Sequence, residues 1–343
     1  MIAHEARWYE KLDGGRVQCH LCAHECVIAA GKRGICHVRE NRDGALVSLV
    51  YGRVLAQHVD PIEKKPLFHY YPGSTAYSIA TAGCNFRCLF CQNAEISQSP
   101  REEQVIYGDA VAPAQIVRAA DRAGCRSIAY TYTEPTVFSE YALDVAGLAQ
   151  AAGLGNVYVT NGYMTPALLA DLAPRLDAAN VDLKAFRDTF YQQMCGARLE
   201  PVLESLRQLK RRGVWVEVTT LLIPDANDDP GELRELAAFI AGELGVETPW
   251  HISRFHPTYR LTDRRPTPAA TLDLASRIGR EAGLRYVYVG NVPGQGETTH
   301  CHHCGAALIE RYGFSILTNH VAAGDVCPRC GTAVAGRGMA GVA

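Results

Sequence analysis

The stretch RSIAYTYTEPTVFSEYALDVAGLAQAAGLGNVYVT, residues 126–160, decides the fold class. RSIAYTYT (126–133) is rich in β-branched and aromatic residues and reads as a strand. TVFSEYALDVAGLAQAAG (136–153) carries helical periodicity, and NVYVT (156–160) reads as a second strand. Strand, helix and strand at these lengths form one βα unit, wound right-handed onto a parallel sheet. Outward from this unit the rhythm continues. Further strands are expected at AYSIATA (76–82), ANVDLKA (179–185), VWVEVTTLLI (214–223), WHISRF (250–255) and RYVYVG (285–290). Further helices are expected at 112–123, 165–176, 200–213, 229–244 and 267–283. Thr165-Pro166 and Thr267-Pro268 place a capping hydroxyl before an N1 proline, while Gly213 and Gly283 sit just past helix ends. Six units plus a terminal strand predict an α/β fold with a partial (β/α)6-type barrel; a full eight-unit barrel is the alternative. Function should then gather at the C-terminal ends of the strands.

The flanks break the rhythm. Residues 1–70 read as a Cys-rich metal-binding module and a Pro-punctuated connector (DPIEKKPLFHYYPGS), 71–297 as the barrel, 298–335 as a small two-knuckle module, and 336–343 as a disordered tail. The 343 residues suffice for a large core. A net charge of -2, without a basic stripe, gives no reason to expect a nucleic-acid partner. No apolar run reaches membrane-spanning length, and the N-terminus lacks an apolar signal region, so no membrane association and a cytoplasmic location are expected.

Cysteine is the informative residue. The chain has 13, an odd number without an export signal, which argues for metal or catalytic thiols over disulfides. Cys19, Cys22, Cys26 and Cys36 form one group; Cys84, Cys88 and Cys91 a second; Cys301, Cys304, Cys327 and Cys330 a third. Cys125 and Cys195 stand alone and read as buried structural thiols. The middle group, CNFRCLFC, is a C-x3-C-x2-C run directly after the first barrel strand. Four thiolates would close every iron of an iron–sulfur cube, whereas three leave one iron open to a chelating ligand. Phe86, Leu89 and Phe90 would shield such a cluster from water. An incomplete zinc site and a loop of buried cysteines are the alternatives.

CNFRCLFCQN resembles the signature of the radical S-adenosylmethionine (SAM) superfamily. CHLCAHEC, DPIEKKPLFHYYPGS, TYTEPT, TNGY, VDLKAF and the C-terminal YVGN…CHHCG…CPRCG narrow the likeness to the radical SAM component of the AmmeMemoRadiSam system, which is similar to pyruvate formate-lyase activating enzymes. The likeness spans roughly 15–335. It implies a [4Fe-4S] cluster on Cys84, Cys88 and Cys91 and SAM on the open iron. Reductive cleavage would yield a 5′-deoxyadenosyl radical for hydrogen abstraction. It also implies a flavodoxin- or ferredoxin-type electron donor and a Memo-like or other protein partner. The cofactor carries the hard chemistry, and the protein binds, orients and excludes water.

The resemblance places further residues. Glu134, in TYTEP, matches the acid that holds the SAM amino group, although tyrosine and threonine replace the usual glycines; a helix N-cap is the alternative. Thr160-Asn161-Gly162 ends the third strand, where Asn161 can serve a zwitterion as donor and acceptor; a plain Asn-Gly turn is the alternative. Val159 stands where related enzymes carry an acid, so no cation site is expected. Asp182 and Lys184 share a strand face and are expected near SAM or substrate, with a structural salt bridge as the alternative. Arg254 and His256 are placed by position as substrate or SAM contacts, and Asn291 at the closure of the SAM pocket; His251 reads as a satisfied core histidine.

The pairs Cys301/Cys304 and Cys327/Cys330 have zinc-ribbon spacing, each followed by a glycine (Gly305, Gly331) where a knuckle turns. His302 and His303 read as exposed. At the N-terminus, C-x2-C-x3-C-x9-C fits zinc or an auxiliary iron–sulfur cluster, with His20, His24 and His37 in reach. The competing functional reading is a zinc-stabilised interaction protein without radical chemistry, which would be colourless rather than brown when purified without oxygen.

Overall fold

The computed structural model describes residues 4–292, 294 and 296–341. Seven parallel strands run in sequence order across one sheet. They are β1 (Thr75–Thr81), β2 (Ser127–Tyr130), β3 (Gly155–Thr160), β4 (Ala178–Asp182), β5 (Trp215–Leu222), β6 (Trp250–Arg254) and β7 (Val287–Gly290). Helices α1 (Pro113–Arg122), α2 (Ser139–Ala151), α3 (Pro166–Leu172), α4 (Glu200–Arg211), α5 (Pro230–Phe239) and α6 (Ala269–Glu281) fill the six crossovers. Each strand and helix read from the sequence is present, and among the described residues the sheet does not close. The partial barrel is therefore the architecture, and the eight-unit alternative is excluded.

Local chemistry explains the element ends. The Thr165 hydroxyl accepts from the amide of Leu168 and caps α3, and the Asp229 carboxylate does the same for α5 through Glu232. Thr267 departs from its expected role. It donates to the Leu222 carbonyl and accepts from the Phe255 amide, tying the ends of β5 and β6 instead of capping α6. Helix α6 lies unusually close to the sheet, because a side chain at Gly279 would stand 2.9 Å from the buried Trp250 ring.

Two further differences concern the flanks. The expected connector contains a nine-residue strand, Arg53–Pro61, which pairs antiparallel with β1 and extends the sheet at that edge. Only Val54 and Asp60 of this strand are buried, and its register slips between Val54 and Ala56, so no alternating pattern marks it. The expected tail is packed as far as Gly341. Arg337 pairs its backbone with His69 and Tyr71, and Met339 is fully buried in the C-terminal module. Small residues around one methionine hide this packing from a composition reading.

The two terminal modules occupy opposite ends of the barrel. The N-terminal module, two small three-stranded sheets, docks where the parallel strands end. Cys22 bridges to Met164 in the loop after β3, the Thr165 hydroxyl donates to the His20 carbonyl, and a buried Arg39–Glu140 ion pair joins the module to α2. The C-terminal module, strands Thr299–His300, Ala307–Tyr312 and Ser315–Asn319, plugs the end where the strands begin. There Arg311 donates to Thr299 and to the Phe68 carbonyl, and the His69 ring bonds the Ala335 carbonyl and the Tyr288 hydroxyl, both at 2.6 Å. Glu217 accepts from the amides of Phe68 and His69 and binds His251 at 2.6 Å, so His251 is the satisfied core histidine expected.

Candidate functional site

Strand β1 ends at Thr81, and the chain turns at Gly83 into the CNFRCLFC loop. Gly83 is required here: φ is +104°, and a Cβ would stand 2.6 Å from Val38 of the N-terminal module. The loop is held along both flanks. The Arg87 amide donates to the Cys195 carbonyl, and the Leu89 amide to Met194. The Leu89 carbonyl in turn accepts from the Arg260 amide, bringing the segment after β6 against the loop. Phe86 and Phe90 are buried beneath it, as a water-excluding role demands, while Leu89 is half-buried.

The three thiols differ in surroundings. Cys84 accepts from the Phe86 amide at 3.3 Å, and Cys91 lies 3.3 Å from the Ser97 hydroxyl. Cys88 is buried, and Cys195, whose carbonyl accepts from the Arg87 amide of the same loop, belongs to this site and not to a remote core. Burial pushes the Cys84 and Cys91 thiols up, whereas the Cys195 contact and then the Lys184 ammonium help hold Cys88 down. Buried thiols of this kind are metal ligands only when the metal displaces their protons. Asn85 Nδ2, buried in the same loop, has no hydrogen-bond partner among the described residues. Three thiols, an orphaned donor and an apolar floor together fit an anionic iron–sulfur cluster with one open iron.

Beside the loop, the end of β2 meets the end of β3. Glu134 is 2% exposed and gathers both. Its Oε1 accepts from the Thr136 amide, the Thr136 hydroxyl and the Thr160 hydroxyl, the last two at 2.6 Å. Its Oε2 accepts from the Asn161 amide at 2.8 Å. Burial raises the Glu134 pKa against the pull of these donors. Asn161 reaches on to Asn85 Oδ1 at 2.8 Å and lies 3.9 Å from the Cys84 sulfur. Glu134, Thr160, Asn161 and the first ligand of the triad thus form one connected unit. Glu134 also caps the turn at Pro135–Phe138, and one acceptor position on Oε2 remains uncommitted.

Strand β4 supplies the other wall. Lys184 Nζ binds Asp182 Oδ2 at 2.8 Å and lies 5.8 Å from the centre of the Phe90 ring. Burial works against the ammonium, but Asp182 and the thiols of Cys88 and Cys195 hold it, and its pKa moves well up. The Lys184–Asp182 ion pair is present, and it stands beside the thiols of Cys88 and Cys195. On the rim, Asn291 donates to Ser253 Oγ and the Arg254 carbonyl, joining the ends of β6 and β7; His256 is exposed. Arg254 spends its Nε on the Thr267 carbonyl. Cys125 is buried at the other end, just before β2, away from the triad.

The terminal cysteines divide into two kinds. In the C-terminal module the sulfurs of Cys301 and Cys330 stand 3.6 Å apart and those of Cys304 and Cys327 3.7 Å. Four thiolates around one zinc at about 2.3 Å have edges of about 3.8 Å, so this set fits a single tetrahedral ion. Gly305 and Gly331 both take φ of +72°, and His302 and His303 are exposed, as expected. At the N-terminus, His24 is committed to the Asn85 carbonyl at 2.8 Å, and His20 faces Glu10 and Glu25. Cys195, Arg260 and Ser97 were not legible as site residues, because no spacing in the sequence connects them to the triad.

A family model described as the Radical SAM superfamily matches residues 78–237. The chain is 50% identical over 312 residues to an uncharacterised protein of Methanocaldococcus jannaschii, covering 91% of this chain and 92% of that one. It is 22% identical over 218 residues to the pyruvate formate-lyase 1-activating enzyme of Escherichia coli strain K12, covering 60% of this chain and 89% of the relative. Among solved structures, Streptococcus suis SuiB bound to its precursor peptide SuiA superposes with a TM-score of 0.50 at 13% identity, over 67% of this chain and 51% of that one, and so shares the fold. No described helix is long and apolar enough to cross a membrane.

Proposed function

We propose, on the premise that the chain belongs to the radical SAM superfamily, that it is an activating-enzyme-like radical SAM enzyme whose cluster is held by Cys84, Cys88 and Cys91. Cys84, Cys88 and Cys91 would hold a [4Fe-4S] cluster there, which when reduced would supply the electron for reductive cleavage of SAM and so hydrogen abstraction from the substrate. The observation that carries this reading is the union of the triad loop with the Glu134–Asn161 unit at the C-terminal ends of adjacent parallel strands. Three ligands leave one metal position for the amino and carboxylate groups of SAM. Glu134 Oε2 has an acceptor position for the SAM ammonium, and the Asn161 side chain stands between that carboxylate and Cys84. Lys184, paired with Asp182, places a positive charge beside the cluster ligands. Phe86 and Phe90 keep water from the reacting centre.

Support for the activating-enzyme-like subtype comes from the Escherichia coli relative. Membership of the AmmeMemoRadiSam system, a flavodoxin- or ferredoxin-type donor and a Memo-like or other protein partner belong to the same proposal and rest on the motif resemblance. Zinc in the C-terminal module rests on its sulfur spacing. The test is spectroscopic. Protein reconstituted without oxygen and reduced should show a cluster EPR signal that changes on adding SAM, because SAM enters the coordination sphere. A signal indifferent to saturating SAM contradicts the proposal.

A further inference from the structure

The N-terminal cysteines differ from the C-terminal set in a way that bears on their metal. Among the described residues, Cys301, Cys304, Cys327 and Cys330 form the one group of three or more candidate ligands whose atoms all lie within 4.8 Å of one another. No three of Cys19, Cys22, Cys26 and Cys36 meet that spacing, and neither do Cys84, Cys88 and Cys91. Ligands that share one ion must crowd together, at about 3.8 Å for zinc. Ligands on separate irons of a cube stand further apart. Neither the N-terminal set nor the central triad is crowded as the C-terminal set is.

Its position has an inside and an outside. Cys19 and Cys22 are buried against the barrel, whereas Cys26 and Cys36 are partly open. Next to the open pair, Val27 is 54% exposed and Ile35 45% exposed, an apolar rim. On the inner side the two cysteine loops touch directly. The Cys36 carbonyl would lie 3.5 Å from a Cβ on Gly83, the residue before Cys84. Arg101 donates to both the Ile35 carbonyl at 2.9 Å and the Phe86 carbonyl at 3.3 Å. His24 bonds the Asn85 carbonyl.

A second feature points to an anionic occupant. Arg39 is 1% exposed and spends one nitrogen on Glu140. Its Nε and Nη1 have no hydrogen-bond partner among the described residues. The Glu140 carboxylate and then the thiols of Cys19 and Cys36 favour its charge against burial. Unpaired buried donors on a cation are costly unless an acceptor meets them, and the sulfides and thiolates of a cluster are such acceptors.

We propose that Cys19, Cys22, Cys26 and Cys36 hold a second iron–sulfur cluster, which relays electrons from an external donor at the Val27–Ile35 rim to the cluster on Cys84, Cys88 and Cys91. Four ligands close every iron, so this cluster binds no SAM and serves only in electron transfer. A low-potential one-electron donor of the flavodoxin or ferredoxin class reduces it; the same electron passes inward to the central cluster, and no atom or proton moves with it. The relay rests on the central assignment above, whereas the metal content of the N-terminal site does not.

The test begins with the Cys84→Ala/Cys88→Ala/Cys91→Ala variant, reconstituted with iron and sulfide without oxygen. It should retain about four irons per chain and, once reduced, an EPR signal that SAM leaves unchanged. A variant with no iron and two zinc ions per chain overturns the proposal while leaving the central reading intact. A second variant, Cys26→Ala with Cys36→Ala in the otherwise native chain, guards against misfolding of the first, and the two thiolates it leaves hold no cube. Its iron should fall from about eight to about four per chain while the SAM-responsive signal persists. Iron unchanged with loss of one zinc overturns the cluster. In this variant, SAM cleavage driven by reduced flavodoxin or ferredoxin should fall about ten-fold further than cleavage driven by dithionite; equal losses overturn the relay. If the native protein shows no SAM-responsive cluster at all, it is the central reading that fails.

Discussion

Glu134→Gln should weaken SAM binding about ten- to hundred-fold while leaving the iron content unchanged. The carboxylate takes three donors on Oε1 and the Asn161 amide on Oε2. A glutamine must keep its oxygen toward the three donors, so its NH2 faces the Asn161 amide, 2.8 Å away, and two donors oppose each other. One charge-assisted hydrogen bond is lost, about 1.5–3 kcal/mol, and with it the acceptor position proposed for the SAM ammonium. Iron should stay, because the triad loop keeps its bonds to Met194, Cys195 and Arg260. SAM affinity measured by anaerobic calorimetry, with iron assayed on the same samples, reads both quantities. A pH series adds a sign. Burial raises the Glu134 pKa, and the protonated acid cannot hold an ammonium, so native affinity should decline on acidification from a pH above the ordinary carboxylate range. The glutamine variant should lack that decline. Unchanged affinity contradicts the assignment, and loss of iron in step with affinity makes Glu134 a structural strut alone.

Gly83→Ala should cost about 2–5 kcal/mol in unfolding, from its left-handed backbone and the collision with Val38; denaturant titration of the apoprotein measures it, and a neutral change refutes the close approach. His69 is fully buried and pushed down to about 4 by burial. Its folded pKa lies below its unfolded value of 6.5, so the unfolded chain binds the extra proton. Stability is retained above pH 6.5 and falls by about 3 kcal/mol as pH drops toward 4; denaturant titrations between pH 7 and 4 should show the slope, and His69→Asn should reduce it. Cys301→Ser with Cys304→Ser should release one metal ion and make 298–341 protease-sensitive, while the central cluster still assembles. The ribbon plugs the strand-start end, so SAM cleavage should survive; its collapse together with central iron would contradict that placement.

The periodic signals were the legible part. Each βα unit has its own apolar strand and capped or glycine-ended helix, so seven strands and six helices could be read one at a time. What escaped were pairings between distant segments. Arg39 and Glu140 lie 101 residues apart, and neither looks unusual alone. Cys195 reads as a lone thiol until the short π-helical turn at Tyr191–Cys195 brings it to Cys88. The strand Arg53–Pro61 has one mostly open face and a bulge, and the tail packs through backbone bonds that any residue can make. The candidate site divides the same way. The triad was legible from spacing, the placement of Glu134 and Asn161 from strand ends and resemblance, but the network joining them to Cys84 required the folded chain.

The most direct measurement is product analysis of reconstituted, reduced protein incubated with SAM without oxygen. The account predicts 5′-deoxyadenosine and methionine in equal amounts from the native chain and none from Cys88→Ala. Undiminished 5′-deoxyadenosine formation by Cys88→Ala, or none from native protein carrying a full complement of iron, would contradict it.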